Sequence, residues 1–209
     1  MKKKILITRK LLKENEDKLK ELFDVKLNVN DEIYTADKIL ELSKDCDGIL
    51  CAVTDKFNNE LINKLSPSIK IIANYAVGYG NIDVNAAKEK NIVVTNTPEV
   101  LDDSTADVSI LLLLGASRKV LEARRAAERQ DWKWSADFML GKQMSNKRLG
   151  ILGMGRIGRA VAKRARGFNM EIHYHNRSQL SKDLEEGAIY HKTVKDLFNC
   201  SDFLSINCP

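Results

Sequence analysis

Residues 148–168 read RLGILGMGRIGRAVAKRARGF, and the fold is decided in this stretch. A short apolar run up to Leu152 has the length of a buried strand. Three glycines follow in Gly153-Met154-Gly155-Arg156-Ile157-Gly158, and an amphipathic helical pattern begins at once. The bare GxGxxG spacing is a weak signal, but between a strand and a helix each glycine has a physical task. Gly153 permits a tight turn, Gly155 lets the backbone approach a pyrophosphate, and Gly158 lets helix and strand pack closely. The helix N-terminus then offers unpaired N–H groups to the phosphates.

Downstream, strands at Glu171–Asn176, Ile189–His191 and Asp202–Ile206 alternate with helices near 156–167, 180–186 and 193–199. The pattern is the opening half of a doubly wound parallel sheet. Upstream lies a second strand and helix alternation. Its strands are Lys4–Thr8, Val25–Val29, Gly48–Val53, Lys70–Ala76 and Ile92–Asn96, with helices near 11–23, 35–44, 58–65 and 83–90. In the first helix Leu12, Leu19, Leu22 and Phe23 share a face expected to be buried. Thr97-Pro98 interrupts the pattern, because the residue before proline is pushed away from helix. The chain therefore divides into domains at 1–98 and 99–209.

Between them the sequence predicts one long helix from Asp102 to about Arg129, capped through Ser104 and Asp107. Its first half is Leu-rich nearly all round, which predicts burial on more than one side. Trp132 and Trp134 follow in an irregular loop, as interface anchors or packing residues.

A unit that binds NAD usually ends its second strand on an Asp or Glu that accepts from the ribose hydroxyls. Here that place reads Tyr174-His175-Asn176-Arg177-Ser178, without a carboxylate. Arg177, assisted by Asn176 and Ser178, suits a 2′-phosphate instead, because guanidinium matches phosphate oxygens bidentately. Arg156 adds charge from the glycine loop. NADP is favoured, with NAD possible. The other basic residues of this helix, Arg159, Lys163, Arg164 and Arg166, are expected on its wet face.

Composition narrows the function classes. The chain has 209 residues, 34 Lys plus Arg against 29 Asp plus Glu, and 44% hydrophobic content, enough for a real core. The basic residues are interleaved with acids and no aromatic-studded basic stripe appears, so nucleic-acid binding is not expected. The apolar runs are too short for a membrane span of roughly 20 residues. Cys46, Cys51, Cys200 and Cys208 have no CxxC spacing, so no disulfide framework or metal site is expected and a cytoplasmic location is. His173, His175 and His191 read as strand and strand-end histidines without catalytic work.

Three segments carry a family resemblance: NYAVGYGNIDVNAAKEKNIVVTNTPEVLDDSTADVSILLLL at 74–114, LGILGMGRIGRAVAKRARGFNMEIHYHNRS at 149–178, and FLSINCP at 203–209. The chain resembles the D-isomer-specific 2-hydroxyacid dehydrogenases, within them the glyoxylate/hydroxypyruvate reductase branch. The resemblance implies an α/β fold with a flavodoxin-like substrate domain followed by the first half of a Rossmann dinucleotide-binding domain, both with parallel sheets. It implies reduction of a small 2-oxo acid to the 2-hydroxy acid, and a homodimer through helix 102–129.

By position, the resemblance assigns Ala76, Val77 and Gly78 to the loop whose N–H groups hold the substrate carboxylate, as a backbone nest would. Thr105 matches a residue near the nicotinamide. Gly153, Met154, Gly155, Arg156, Ile157 and Gly158 match the pyrophosphate loop, and Asn176, Arg177 and Ser178 the segment recognising the NADP phosphate. Cys208 and Pro209 match a stretch along the adenosine. Gly80 stands where the family usually carries Asp, which implies a less rigid loop.

The family's substrate-binding Arg, its Glu and its general-acid His have no matching positions in 1–209, so no catalytic residue is expected in this chain. It reads as a C-terminally truncated reductase, nearly inactive alone. Two other readings stand beside that one. The first is a naturally short nucleotide-binding module or pseudoenzyme, against which the uncovered sheet edge at Asp202–Ile206 argues. The second is a family member acting on another 2-hydroxy acid.

Overall fold

The computed structural model describes residues 2–130 and 132–208. The chain forms two compact units, one up to Val100 and one from Leu101 onward.

In the first unit the elements are β1 (Lys4–Ile7), α1 (Lys13–Leu22), β2 (Asp24–Lys26), α2 (Ala36–Ser43), β3 (Gly48–Ala52), α3 (Asn59–Lys64), β4 (Ile71–Tyr75), α4 (Val84–Glu89) and β5 (Val93–Thr95). All pairings are parallel and the order is β2-β1-β3-β4-β5, the flavodoxin-like order. Its core is Leu6, Ile39, Ile49, Phe57, Leu61, Ile62, Ile72 and their neighbours. Helices α2, α3 and α4 begin on Thr35, Asn58 and Asp83, whose side chains accept from Lys38, Leu61 and Ala86 N–H groups.

Helix α1 departs from expectation. None of its residues is fully buried, and Leu12 and Leu22 are 70% and 59% exposed. Of the four apolar residues expected on the buried face, Leu19 and Phe23 turn partly inward.

The second unit contains α5 (Asp102–Ser117), α6 (Val120–Arg129), β6 (Arg148–Leu152), α7 (Arg156–Arg166), β7 (Glu171–His175), α8 (Lys182–Glu185), β8 (Ile189–Tyr190), α9 (Val194–Cys200) and β9 (Phe203–Ile206). The sheet is again parallel, ordered β8-β7-β6-β9. Numbered within the unit that is 3-2-1-4, the Rossmann order, with its reversal point between β6 and β9.

The long helix expected at 102–129 is two helices. Lys119 adopts φ 51°, a left-handed conformation that separates α5 from α6. The expected capping box is also absent. Ser104 Oγ donates to Leu101 O, while Asp103 and Asp107 pair with Arg164 of α7 at 3.1 and 2.6 Å. Nor is α5 enclosed: of its residues only Ala106 and Ser117 are fully buried, and Leu111 and Leu112 are each 66% exposed. Arg164 and Arg166 are likewise not simply solvated, since Arg166 holds the Glu186 carboxylate and the carbonyls of Glu185 and Glu186 at the end of α8. Trp132 stacks on Phe138, and Trp134 is exposed.

Candidate dinucleotide and carboxylate sites

At the reversal point the three glycines differ in what surrounds them. Gly153 has φ +93°, and a Cβ there would sit 2.8 Å from Cys208 N and 2.9 Å from Asn207 C. At Gly158 a Cβ would lie 2.3 Å from Gly153 O. Both positions therefore require glycine, one for the turn and one for helix-on-strand packing. Gly155 meets nothing within 4 Å and has an ordinary φ of −77°, so its missing side chain leaves open space beside the backbone. Gly155 is also the N-cap of α7 and provides no side chain to its first turn. An anion fits that place, where the helix dipole and unpaired N–H groups point.

Met154 sits within the glycine loop. Its side chain is buried in the core, and its N–H donates to Asn176 Oδ1 at 2.6 Å. Asn176 therefore ties the end of β7 to the glycine loop, which is a structural task. Arg177 and Ser178 follow it, exposed.

A cleft of about 790 Å³ runs along the loop, lined by Gly153, Gly155, Asn176, Arg177, Ser178 and Cys208 among others. None of its lining residues is acidic. Arg177 makes no ion pair among the described residues. Cys208 is exposed on the cleft wall, unlike the buried Cys46 and Cys51. Pro209 lies outside the described residues. Thr105 does not line the cleft; it is half-buried in the first turn of α5, where its carbonyl accepts from Ser109 Oγ.

The loop carrying Arg177 is fixed from below. The buried Glu185 accepts from Tyr174 Oη at 2.7 Å and Gln179 Nε2 at 2.7 Å, and pairs with Lys182 at 3.1 Å. Tyr174 Oη in turn accepts from Leu180 N–H. Donation from Gln179, then from Tyr174 and Lys182, holds the Glu185 carboxyl below its ordinary value. Burial, with Glu185 accepting the phenol proton, pushes Tyr174 up to about 12. This network has no local sequence signature, because its members meet only once β7 and α8 have packed.

In the first unit the loop after β4 is held by side chains. Asn74 Nδ2 donates to Gly78 O, Asn96 Nδ2 to Val77 O, and Asn81 Nδ2 to the carbonyls of Ala52 and Asp55. Asn81 thus supplies the rigidity that Gly80 was expected to remove. The N–H of Ala76 is engaged by Asn74 O at 2.8 Å. The N–H groups of Val77 and Gly78 have no such backbone acceptor among the described residues. Gly78 lines a cleft of about 710 Å³ together with Lys56 and Asn58. Lys56 was not singled out in the sequence; its one signal was a cation in the loop after a buried strand.

Residues 110–209 match the D-isomer specific 2-hydroxyacid dehydrogenase, NAD binding domain. The chain belongs to the D-isomer specific 2-hydroxyacid dehydrogenase family. Its fold is the α/β fold of that family, with a Rossmann NAD-binding unit, and the family is one of oxidoreductases. A glyoxylate reductase of Korarchaeum cryptofilum is 38% identical over all of this chain and 63% of its own length. A structure from Polaromonas sp. JS6 66, assigned to the NAD-binding members of the family, superimposes with a TM-score of 0.90 at 41% identity, over 100% of this chain and 66% of that one. The NADPH-dependent glyoxylate/hydroxypyruvate reductase of Sinorhizobium meliloti, solved with NADP and malonate, superimposes with a TM-score of 0.84 at 30% identity, over 100% of this chain and 63% of that one. The chain thus spans a little under two thirds of the length of these relatives. Among the described residues, no helix is long and apolar enough to cross a membrane.

Proposed function

We propose that this chain carries the dinucleotide-binding and carboxylate-binding parts of an NADP-preferring reductase that converts a small 2-oxo acid, glyoxylate or hydroxypyruvate, to its 2-hydroxy acid. The observation that carries the reading is Arg177, exposed and without an ion pair among the described residues on a cleft that has no acidic lining residue. An NAD-selective cleft would place a carboxylate there, and a 2′-phosphate beside a carboxylate is repelled. NADP in the S. meliloti relative agrees with this preference.

NADPH, when bound, supplies the hydride delivered to the carbonyl carbon. The chain's residues position the partners. The open backbone at Gly155 and the first turn of α7 receive the pyrophosphate, and Arg177 and Ser178 the 2′-phosphate. In the region 1–98, taken as the substrate domain, the N–H groups of Val77 and Gly78 receive the substrate carboxylate, with Lys56 adding charge. The region 99–209 is the cofactor domain. No side chain in 1–209 is assigned to protonate the forming alkoxide, so the 209 residues alone are expected to bind without turnover.

The exposed Val108, Leu111 and Leu112 of α5 and Val120 and Leu121 of α6 support a homodimer through these helices, and four free cysteines suit the cytoplasm. Amide NMR tests the binding assignments. Glyoxylate should shift the Val77 and Gly78 signals and NADPH those of Gly155 and Arg177; shifts confined to other loops would refute the proposal.

A further inference from the structure

Away from both clefts, three metal-ligating atoms meet at one point of the second unit. His173 Nδ1, on β7, lies 2.8 Å from His191 Nε2, just past β8. Cys200 Sγ, at the end of α9, lies 3.5 Å from the first nitrogen and 3.4 Å from the second. Zn²⁺ bound at its usual lengths, about 2.0–2.1 Å to nitrogen and 2.3 Å to sulfur, sets tetrahedral N···S separations near 3.5 Å and N···N near 3.3 Å. Both sulfur separations already agree, and the nitrogen pair needs to open by only about 0.5 Å.

The surroundings agree with the ligand set. His173 is 6% exposed, and its Nε2 has no aligned hydrogen-bond partner, although Glu171 Oε1 stands 3.0 Å away. If Nδ1 binds a metal, the ring proton must reside on Nε2, facing that carboxylate. This is the outer carboxylate–histidine arrangement that orients metal-bound imidazoles. Burial, the largest effect on His173, pushes its pKa down and keeps the ring neutral, as a ligand must be. The positive Arg148 nearby is neutralised by its two hydrogen bonds to Asp202. His191 and Cys200 are half-buried, which leaves an approach from solvent.

We infer that His173, His191 and Cys200 form a binding site for a borderline-soft divalent metal ion of the zinc class. Imidazole and thiolate together select such an ion over Mg²⁺ or Ca²⁺. On binding, the Cys200 thiol loses its proton to solvent and gives up its hydrogen bond to Leu197 O, and the two imidazoles bind through their lone pairs. The ion joins β7, the segment after β8 and the end of α9. One hydrogen bond links the site to the cofactor cleft: His175, which lines the cleft, donates from Nδ1 to His191 O at 2.8 Å.

Co²⁺ titration of the full chain tests the site. One equivalent should produce a thiolate-to-metal charge-transfer band with the visible bands of a tetrahedral ion, and Zn²⁺ should displace it. Cys200→Ser should abolish the charge-transfer band, His191→Gln should weaken binding more than about tenfold, and Glu171→Gln should weaken it about 10- to 100-fold. Cys46→Ser, altering a cysteine of the first unit, should leave the charge-transfer band unchanged. Circular dichroism of each variant confirms the fold. Absence of the band in the parent chain, its loss in Cys46→Ser, or equal Zn²⁺ affinity in folded Cys200→Ser would overturn the site and leave only a hydrogen-bonded His-His-Cys cluster.

Discussion

Asn176 Oδ1 accepts the N–H of Met154 at 2.6 Å, joining the end of β7 to the glycine loop at its tightest point. The loop that receives phosphate and the segment that selects the cofactor are therefore one rigid piece. Asn176→Ala leaves the N–H of a buried residue without its acceptor, at a cost of about 1–3 kcal/mol. Dinucleotide affinity should fall about tenfold for NADPH and NADH alike, measured by fluorescence titration. A change confined to NADPH would mean that Asn176 contacts the 2′-phosphate directly.

Gly155 and Gly158 should separate binding from folding. At Gly158 the added methyl of alanine meets Gly153 O at 2.3 Å, so Gly158→Ala should lose about 1–3 kcal/mol of stability. Gly155→Ala meets nothing within 4 Å and should fold with an unchanged Tm. Its methyl occupies the space assigned to the pyrophosphate, so dinucleotide binding should weaken at least about tenfold. Equal affinity in Gly155→Ala would remove the pyrophosphate from this place.

The Tyr174–Glu185 contact predicts an alkaline transition. Tyr174 is raised from 10.0 to about 12. A group whose pKa is higher folded than unfolded contributes stability that is fully present below the unfolded value. That contribution should be lost as pH rises from 10 to about 12. Of the five tyrosines, one should form its phenolate only as the second unit unfolds, followed by ultraviolet absorbance. In Tyr174→Phe the late-titrating signal should vanish, stability at neutral pH should fall, and the further loss of stability on acidification should become smaller, because Glu185 loses a donor that holds its carboxyl low.

Much of this was legible in the sequence, and the misses share a cause. Glycine spacing, strand and helix periods and the absent acid after Tyr174 are local patterns, and the predicted elements other than the long helix at 102–129 formed within a few residues of their places. The break at Lys119 was not legible, because a Leu-rich run keeps helical period across a single residue that turns left-handed. The exposure of Leu12 and Leu22 was missed because periodicity says which residues share a face and not what covers it. The His173, His191 and Cys200 cluster escaped for a third reason. Its members are 18, 9 and 27 residues apart, and only the β7, β8 and α9 packing joins them.

The most direct test of the account is calorimetric titration of the chain and of Arg177→Ala with NADPH and NADH in parallel. The account predicts tighter binding of NADPH by the parent chain, with that preference cut about 10- to 150-fold in Arg177→Ala, the range of a charge-assisted hydrogen bond of about 1.5–3 kcal/mol. NADH affinity should stay within about twofold, because the lost contact is to the 2′-phosphate alone. Equal affinities for the two in the parent chain, or a preference untouched by the substitution, would contradict it.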